Sequence, residues 1–428
     1  GASVYWAETN VGVSTDSIGR FSIHKVKGYS KLVASYLGYI NDTLDLKKNN
    51  NNDYVRFLLQ EQEVALNDIV IEGIQRGNLI KRDGIAKNEL ITFAGLTKMA
   101  CCNLAESFEN SASVTVGYSD AISGARQIKM LGLAGTYTQI LDENRPIMRG
   151  LSAPYGLGYT PGMWLNSIQV SKGVSSVTAG HEAITGQINL EYRKPVDDER
   201  LFVNVYVDDE LRTEANVSTA FPVTKNKKLS SIILLHGSVD TDVRKIDHFR
   251  DLPKSDQVNV ANRWLYMADN GMQMRWGWKF VQENRLGGML GYNDSENMRE
   301  AMYSDWSSKN KPLYGSFIKN RNINGYLKIA MPVGKAVYDS DENDEKRSNV
   351  ALVADFDHFN ENAYWGLNDY TGNENLVSAN LMYNHYFTYR SSLIVGTQMY
   401  FSYYREGLTN RTPWLTELPE QMKYYNFD

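Results

Sequence analysis

Residues 168–195 read IQVSKGVSSVTAGHEAITGQINLEYRKP. Ile168, Val170 and Lys172 alternate as in a short strand. Gly173 and the small residues Ser175, Ser176, Ala179 and Gly180 then make a connection poor in side chains. Gly186 precedes a second alternating run, Ile188, Leu190 and Tyr192, which Lys194-Pro195 ends. Glycine admits close backbone approach, and proline cannot donate to a strand ladder. On its residues alone, this stretch is a Gly-rich β-hairpin of no stated purpose.

The rest of the chain surrounds that hairpin with more β patterning. In Met272-Gln273-Met274-Arg275-Trp276-Gly277-Trp278-Lys279-Phe280 every even position is large and apolar, and every odd one is polar or Gly. Val377, Ala379, Leu381 and Tyr383 alternate with Ser378, Asn380 and Asn384, and Leu393, Val395, Met399, Phe401 and Tyr403 with Gly396, Gln398 and Ser402. Such faces fit lipid on one side and water on the other. A soluble sandwich alternates too, with its core on the apolar side. Arg275, Lys279 and Gln398 on the polar parity suit a wet lumen, and the polar stretches 293–311 and 339–347 suit extracellular loops.

Bulk properties narrow the classes. A chain of 428 residues implies two or more domains. A formal charge of −5 and a pI of about 5.8 argue against a nucleic-acid partner, which needs a basic patch or stripe. No run approaches the ~18–20 continuous apolar residues of a membrane helix. The mean hydropathy of −0.42 does not separate a soluble protein from a membrane barrel, in which only alternate residues face lipid. Tyrosine is frequent, 27 against 14 Phe and 8 Trp, as suits membrane interfaces or a Tyr-rich soluble sandwich. Two cysteines, Cys101 and Cys102, make no disulfide framework. Gly1-Ala2-Ser3-Val4 reads as the interior of a domain rather than as a signal peptide, so any N-terminal export information lies outside this chain.

The order of residues in 168–195 resembles the end of the plug domain of TonB-dependent outer-membrane receptors. The shared features are Val170, Lys172-Gly173, Ser175-Ser176, Gly180, Ala183 and Gly186 at Gly-x-x-Ala-x-x-Gly spacing, Ile188-Asn189, and Lys194-Pro195. The usual aromatic before the first of those spaced glycines is Ala179 here. The N-terminal segments GASVYW, GVSTDSIGRFSI and LVASYLGY resemble the carboxypeptidase-regulatory-like domain that precedes many receptors of Bacteroidota-type bacteria. The resemblance implies a mostly β chain: a transthyretin-like β-sandwich over 1–60, a linker over 61–81, an α/β plug over 82–195, and part of a transmembrane antiparallel β-barrel over 196–428. Within the plug, 103–110 reads as a short helix with Asn103 as cap and Glu106 three residues on. The Gly-, Pro- and Tyr-rich run 150–163 reads as a loop that, in the resembled plug, points towards the extracellular ligand.

Only 233 residues (428 less 195) follow Pro195. The family's barrels have ~22 strands of ~9–11 residues each, and about nine strands are legible by pattern. No clear closing strand is legible at 424–428. The expectation is an N-terminal fragment of a longer receptor, cut at both ends, whose open edges lipid would not tolerate.

The functional residues expected from the resemblance are few. Asp68-Ile69-Val70-Ile71-Glu72-Gly73 resembles a TonB box, an extended segment that a periplasmic TonB-type protein captures by strand addition; the alternative on its residues is a last sandwich strand. Lys172, Gly173, Gly180 and Gly186 carry the plug motif. Cys101-Cys102 could bind a soft metal such as Cu(I), form a vicinal disulfide, or simply pack. Met99, Met130, Met148 and Met163 could add thioethers. The six histidines have no metal-ligand spacing, Ser175 and Ser176 lack the context of a hydrolase nucleophile, and neither a catalytic set nor a cofactor is expected. The implied partners are the TonB-type protein, outer-membrane lipid, and an unidentified extracellular ligand: a metal chelate, haem, a corrinoid or a glycan. The alternative reading is a multi-domain β-sandwich adhesion or carbohydrate-binding protein. A secreted peptidase would rest on the N-terminal module alone.

Overall fold

The computed structural model describes residues 2–7, 9, 11–16, 19–35, 42–46, 54–59, 78–81, 88–98, 103–109, 111–173, 180, 182–196, 198–241, 248–304, 312–338, 345–389, 391–410 and 421–427. Asp68–Gly73, Cys101, Cys102 and the small-residue stretch 174–179 lie outside them.

The N-terminal unit holds β1 (Ser3–Trp6), β2 (Gly12–Ser14), β3 (Lys31–Ser35) and β4 (Asp42–Asp45) in one antiparallel sheet of order β2-β1-β3-β4. Val4, Trp6, Leu32 and Ala34 form its buried face. Phe21, Ile23, Val55, Phe57 and Leu59 cover that face from two extended segments whose alternate residues point outward. The Trp6 indole N–H donates to the His24 carbonyl at 2.9 Å, so the buried ring keeps its one polar atom satisfied.

The second unit contains a small mixed domain and a large sheet. The small domain comprises β5 (Asn78–Lys81), β6 (Asn88–Thr92), α1 (Phe93–Lys98), β7 (Val114–Tyr118), β8 (Arg126–Met130), β9 (Leu133–Ala134), β10 (Thr138–Asp142), β11 (Arg145–Ile147), β12 (Leu165–Lys172) and β13 (Gly186–Tyr192). Its central sheet runs β11-β10-β13-β12-β6-β5, with β10 and β13 parallel, and β7-β8-β9 form a second sheet. The alternation at 168–192 pairs β12 with β13 antiparallel, which buries Ile168, Val170, Ile188, Leu190 and Tyr192. Asn103 and Glu106 form the reciprocal cap: the Glu106 N–H donates to Asn103 Oδ1 at 3.2 Å, and Asn103 Nδ2 donates to Glu106 Oε1 at 3.1 Å. The helix expected behind that cap is only a 3-10 turn, Glu106–Phe108. The side chain of Glu106 also serves two arginines, and the turn ends where Phe108 enters the core. A helix that the sequence reading missed, α1, sits ten residues earlier.

The run 150–163, expected as a loop, is without strands or α-helix, and most of it is buried. It folds into three 3-10 turns, Gly150–Ser152, Gly156–Gly158 and Gly162–Trp164, and Tyr155, Leu157, Tyr159, Met163 and Trp164 are buried. Its aromatic and apolar residues outweigh its turn formers once a wall stands beside it.

That wall is a ten-stranded antiparallel sheet in sequence order. It comprises β14 (Phe202–Val207), β15 (Thr213–Pro222), β16 (Leu229–Asp240), β17 (Lys254–Met267), β18 (Gln273–Gly288), β19 (Gly315–Tyr338), β20 (Glu345–Trp365), β21 (Asn368–Thr388), β22 (Ser391–Asn410) and β23 (Gln421–Phe427). It has one strand more than the roughly nine read by pattern, and the last, 421–427, is an edge strand paired with β22. Strands β19 to β22 are 20 to 24 residues long, twice what crossing a bilayer requires. Residues 296–304, expected to be loop, form the helix α2 (Glu296–Ser304).

The two faces of this sheet are inverted relative to a soluble protein. One face exposes Val203, Val205, Val258, Trp278, Phe356, Val377, Leu381 and Phe401, each more than 40% accessible. The opposite parity buries Asn216, His236, Asn259, Arg263, Glu283, Asn322, Glu361 and Glu374. Water would not favour such an arrangement; lipid outside and a filled polar lumen inside would. The alternation at 273–280 divides accordingly, with Trp278 outward and Arg275 turned to the small domain.

Candidate functional site

The site is the set of contacts by which the small domain fills the concave face of the sheet. Its centre is the hairpin joining β10 to β11. Asp142 pairs with Arg145, leaving Glu143 and Asn144 as a two-residue turn with φ of 46° and 66°. Both positive values match the type I′ turn that suits twisted strands. Asparagine accepts them readily, whereas glutamate does so at a cost. The cost is met by what Glu143 reaches: Arg263 Nη2 at 2.7 Å, Lys328 Nζ at 3.4 Å and Arg275 Nη1 at 3.9 Å, from three neighbouring strands of the wall. Lys328 also donates to the Glu143 carbonyl.

Asp142 binds Arg145 at 2.5 Å and Arg263 at 3.5 Å. The Arg145 guanidinium is fully buried and lies 4.1 Å from the Tyr326 ring centroid, and that of Arg263 lies 4.3 Å from Tyr192. Burial pushes the Glu143 carboxyl up, but Arg263, Lys328, Arg275 and Arg145 outweigh it and hold it down to about 2. The carboxylate is therefore charged at any physiological pH, and the hairpin is clamped to the wall.

A second set of contacts lies towards the end of the sheet that carries the longer connections. Tyr155 Oη donates to Glu361 Oε1 at 3.0 Å, and the Leu151 N–H donates to Glu374 Oε2 at 2.7 Å. Gln257 Nε2 donates to the Gly158 carbonyl at 2.9 Å, Asn259 Nδ2 to the Tyr159 carbonyl at 3.2 Å, and Arg285 Nη1 to the Ser123 carbonyl at 2.7 Å. Burial, then the neighbouring Glu361, raises the Tyr155 phenol, which stays a neutral donor. A third set links Glu106 to Arg126 at 2.9 Å and to Arg212, beside β15, at 2.7 Å. Between the first two sets a small cleft is lined by Met148, Arg149, Asn324, Asp355, Asp357 and Tyr400. Among the described residues no group of three or more His, Cys, Asp or Glu could hold a metal ion.

The residues singled out in the sequence are not brought together here. Lys172 is exposed at the end of β12, and Gly173 turns the chain at φ +86°, its N–H donating to the Thr185 carbonyl at 2.8 Å. Gly180 lies against Gln139. A side chain at Gly186 would collide with the Ser171 carbonyl and the Met130 sulfur, so the motif's glycine is required for the closeness of β12 to β13. These residues shape the domain, whereas those that hold it in the wall are Glu143, Arg263 and Lys328. The run Asp142-Glu143-Asn144-Arg145, with three charged residues beside apolar Ile140-Leu141 and Pro146-Ile147, was the available signal.

Residues 1–71 match the CarboxypepD_reg-like domain family. A sequence search of curated proteins finds no match. Among solved structures the chain resembles the ferripyoverdine receptor of the outer membrane of Pseudomonas aeruginosa, with a TM-score of 0.58 at 12% identity over 80% of this chain and 45% of that one. It also resembles the siderophore receptor PiuA of Acinetobacter baumannii (TM-score 0.53, 11% identity, 80% and 53% covered). The ferric-catecholate import receptor Fiu of E. coli K12 is a third (0.51, 14%, 77% and 50%). The chain spans about half the length of these receptors. The chain therefore carries an N-terminal CarboxypepD_reg-like domain followed by the plug-and-barrel fold of TonB-dependent outer-membrane receptors.

Proposed function

We propose that this chain is the N-terminal part of a TonB-dependent outer-membrane receptor that imports a scarce extracellular ligand, with a ferric chelate the first class to test. The observation that carries the reading is the inverted sheet: apolar residues exposed outside, polar residues inside, and a separate domain clamped into the polar face. An adhesion or carbohydrate-binding sandwich would bury its apolar parity, so this observation disfavours the alternative. The likeness to receptors for ferripyoverdine and ferric catecholate supports the ligand class. The proposed division into 1–60, 61–81, 82–195 and 196–428 assigns ligand contact to plug and barrel, and energy coupling to Asp68–Gly73. A barrel sealed by a plug has no energy source of its own, so work has to come from a periplasmic partner gripping an extended segment.

The test is uptake. A strain lacking the full-length receptor should fail to grow on a ferric chelate as sole iron source, and regain growth when the receptor and its TonB-type partner are both present. Equal growth without the partner would contradict energised transport.

A further inference from the structure

The small domain is held unequally around the wall. Across β15 to β19 the grip runs from Arg212 and Gln257, towards the long connections, to Arg263 and Lys328, towards the short turns. Ile232, Leu234 and Ala261 on the inner face there lie in the same core as the small domain. Across β20 to β22 the inner face is filled less completely. Glu361 and Glu374 accept from Tyr155 and Leu151. Two rows nearer the short turns than Glu374, strand register lines up Tyr326-Asp355-Ser378-Tyr400. The next rows are Lys328-Val353-Asn380-Gln398 and Ala330-Ala351-Met382-Gly396. Val353, Ala351 and Met382 in them are only half-buried.

Where the filled part of this face ends lies the cleft between residues 146–152 and the wall residues Asn324, Asp355, Asp357, Leu376 and Tyr400. Arg149 sits on its edge towards the short turns. Its guanidinium lies 4.1 Å from the ring centroid of Tyr400, which stands in the last of the cleft's rows. The Arg149 Nε donates to Glu182 Oε2 at 2.8 Å, and its Nη2 pairs with Glu182 Oε1. Among the described residues Arg149 makes no hydrogen bond to the wall. It belongs to the small domain by an ion pair and meets the wall through a ring face. Met148 and Gly150 flank it at φ of 56° and 57°. That conformation is costly for methionine and persists only because the surroundings hold it. Met148 packs against Gly156, and Gly150 against the Glu374 carboxylate.

We infer that the passage through this receptor opens between residues 146–152 and strands β20 to β22, and that Arg149, seated on Tyr400, is its gate. A cation resting on a ring is held more weakly than a buried ion pair. This side therefore yields first, while Glu143 keeps the small domain fixed to β17, β18 and β19. Gly150 and Leu151 follow Arg149 directly, so whatever moves the turns at 150–156 moves the arginine. Its strained neighbour Met148 then relaxes, and Arg149 leaves Tyr400 together with Glu182. The half-filled rows beyond join the cleft to the short-turn end of the wall. The inference deepens the transport reading above and rests on it.

The test uses full-length receptor carrying Cys101→Ser/Cys102→Ser, reconstituted in vesicles loaded with potassium. This parent should hold the ion. Arg149→Ala/Tyr400→Ala should release it at least about tenfold faster. Arg149→Lys keeps a cation over the ring and should stay closed. Phe93→Ala/Phe202→Ala, which removes a ring contact between the small domain and β14, should stay closed too. In the leaking variant a bulky maleimide on Met382→Cys should stop the flux, whereas one on Gln273→Cys, at the short-turn end of β18, should not. A tight double variant, an equal leak from the Lys or the β14 variant, or a leak that the Met382 label leaves untouched would overturn the inference. Heat-modifiable mobility in the same preparation reports the barrel separately. A heat-modifiable receptor that fails these arms sinks the gate alone, whereas loss of heat-modifiability in the parent sinks the membrane reading beneath it.

Discussion

Replacing Glu143 with Gln should loosen the plug from the wall while leaving the wall intact. The substitution keeps the shape and hydrogen-bonding reach of the side chain but removes the charge that faces Arg263, Lys328 and Arg275. The carboxyl stands at about 2 against a reference of 4.5, which at ~1.4 kcal/mol per pH unit amounts to about 3 kcal/mol of stabilisation. An independent argument gives the same scale: removing one partner of a buried pair costs roughly 3–5 kcal/mol, because the remaining cation is left uncompensated.

The assay is native-state hydrogen exchange on the full-length receptor in detergent. Amides of β10 and β11 in the Gln variant should exchange about a hundredfold faster, while those of β15 and β16 should not change. The pH dependence has a definite sign. Because folding depresses the Glu143 carboxyl, its contribution is complete above about 4.5 and is lost as pH falls through about 2. Wild type and variant should therefore differ fully at pH 6 and converge near pH 2. A change in exchange below about threefold at pH 6 would refute the clamp.

Trp278→Arg should impair assembly by ~2–4 kcal/mol, because it puts a charge on the lipid side, whereas Val203→Leu should not; heat-modifiability after outer-membrane fractionation reads this. Gly186→Ala should destabilise the plug by ~1–3 kcal/mol through collision with β12, seen as earlier proteolysis of the plug at unchanged barrel mobility. Val70→Pro should abolish uptake yet leave ligand binding intact, since proline removes a backbone donor needed for strand addition; normal uptake would exclude this segment as the coupling box.

The fold was legible where one residue type had one job. The glycines and alternating apolar residues of 168–192 specify a tight antiparallel pair whichever protein holds them, and β12 and β13 follow. The long alternating strands were legible too, and Arg275, Lys279 and Gln398 on one parity marked it as the wet one. Period two alone states only that the faces differ; the contacts of Arg275 and Arg285 with the small domain agree with the polar face of β18 as the inner one. The burial of the run 150–163 was not legible, because its glycines and prolines signal only turns, whereas its burial depends on Glu361, Glu374, Gln257 and Asn259, about a hundred or more residues away. The clamp was hidden for the same reason. Glu143 alone is an ordinary turn residue, and the cations it needs come from three later strands.

The most direct test of the account is where the exposed apolar parity sits. Spin labels placed singly at Val377, Leu381 and Met399 of the full-length receptor, reconstituted in lipid, can be probed for collision with oxygen and with a water-soluble nickel chelate. The account predicts oxygen-accessible, chelate-protected labels at all three positions, and a chelate-accessible label at exposed Thr371, close to the turn between β20 and β21. Chelate access at Val377 and Leu381 would place that face in water and contradict the barrel.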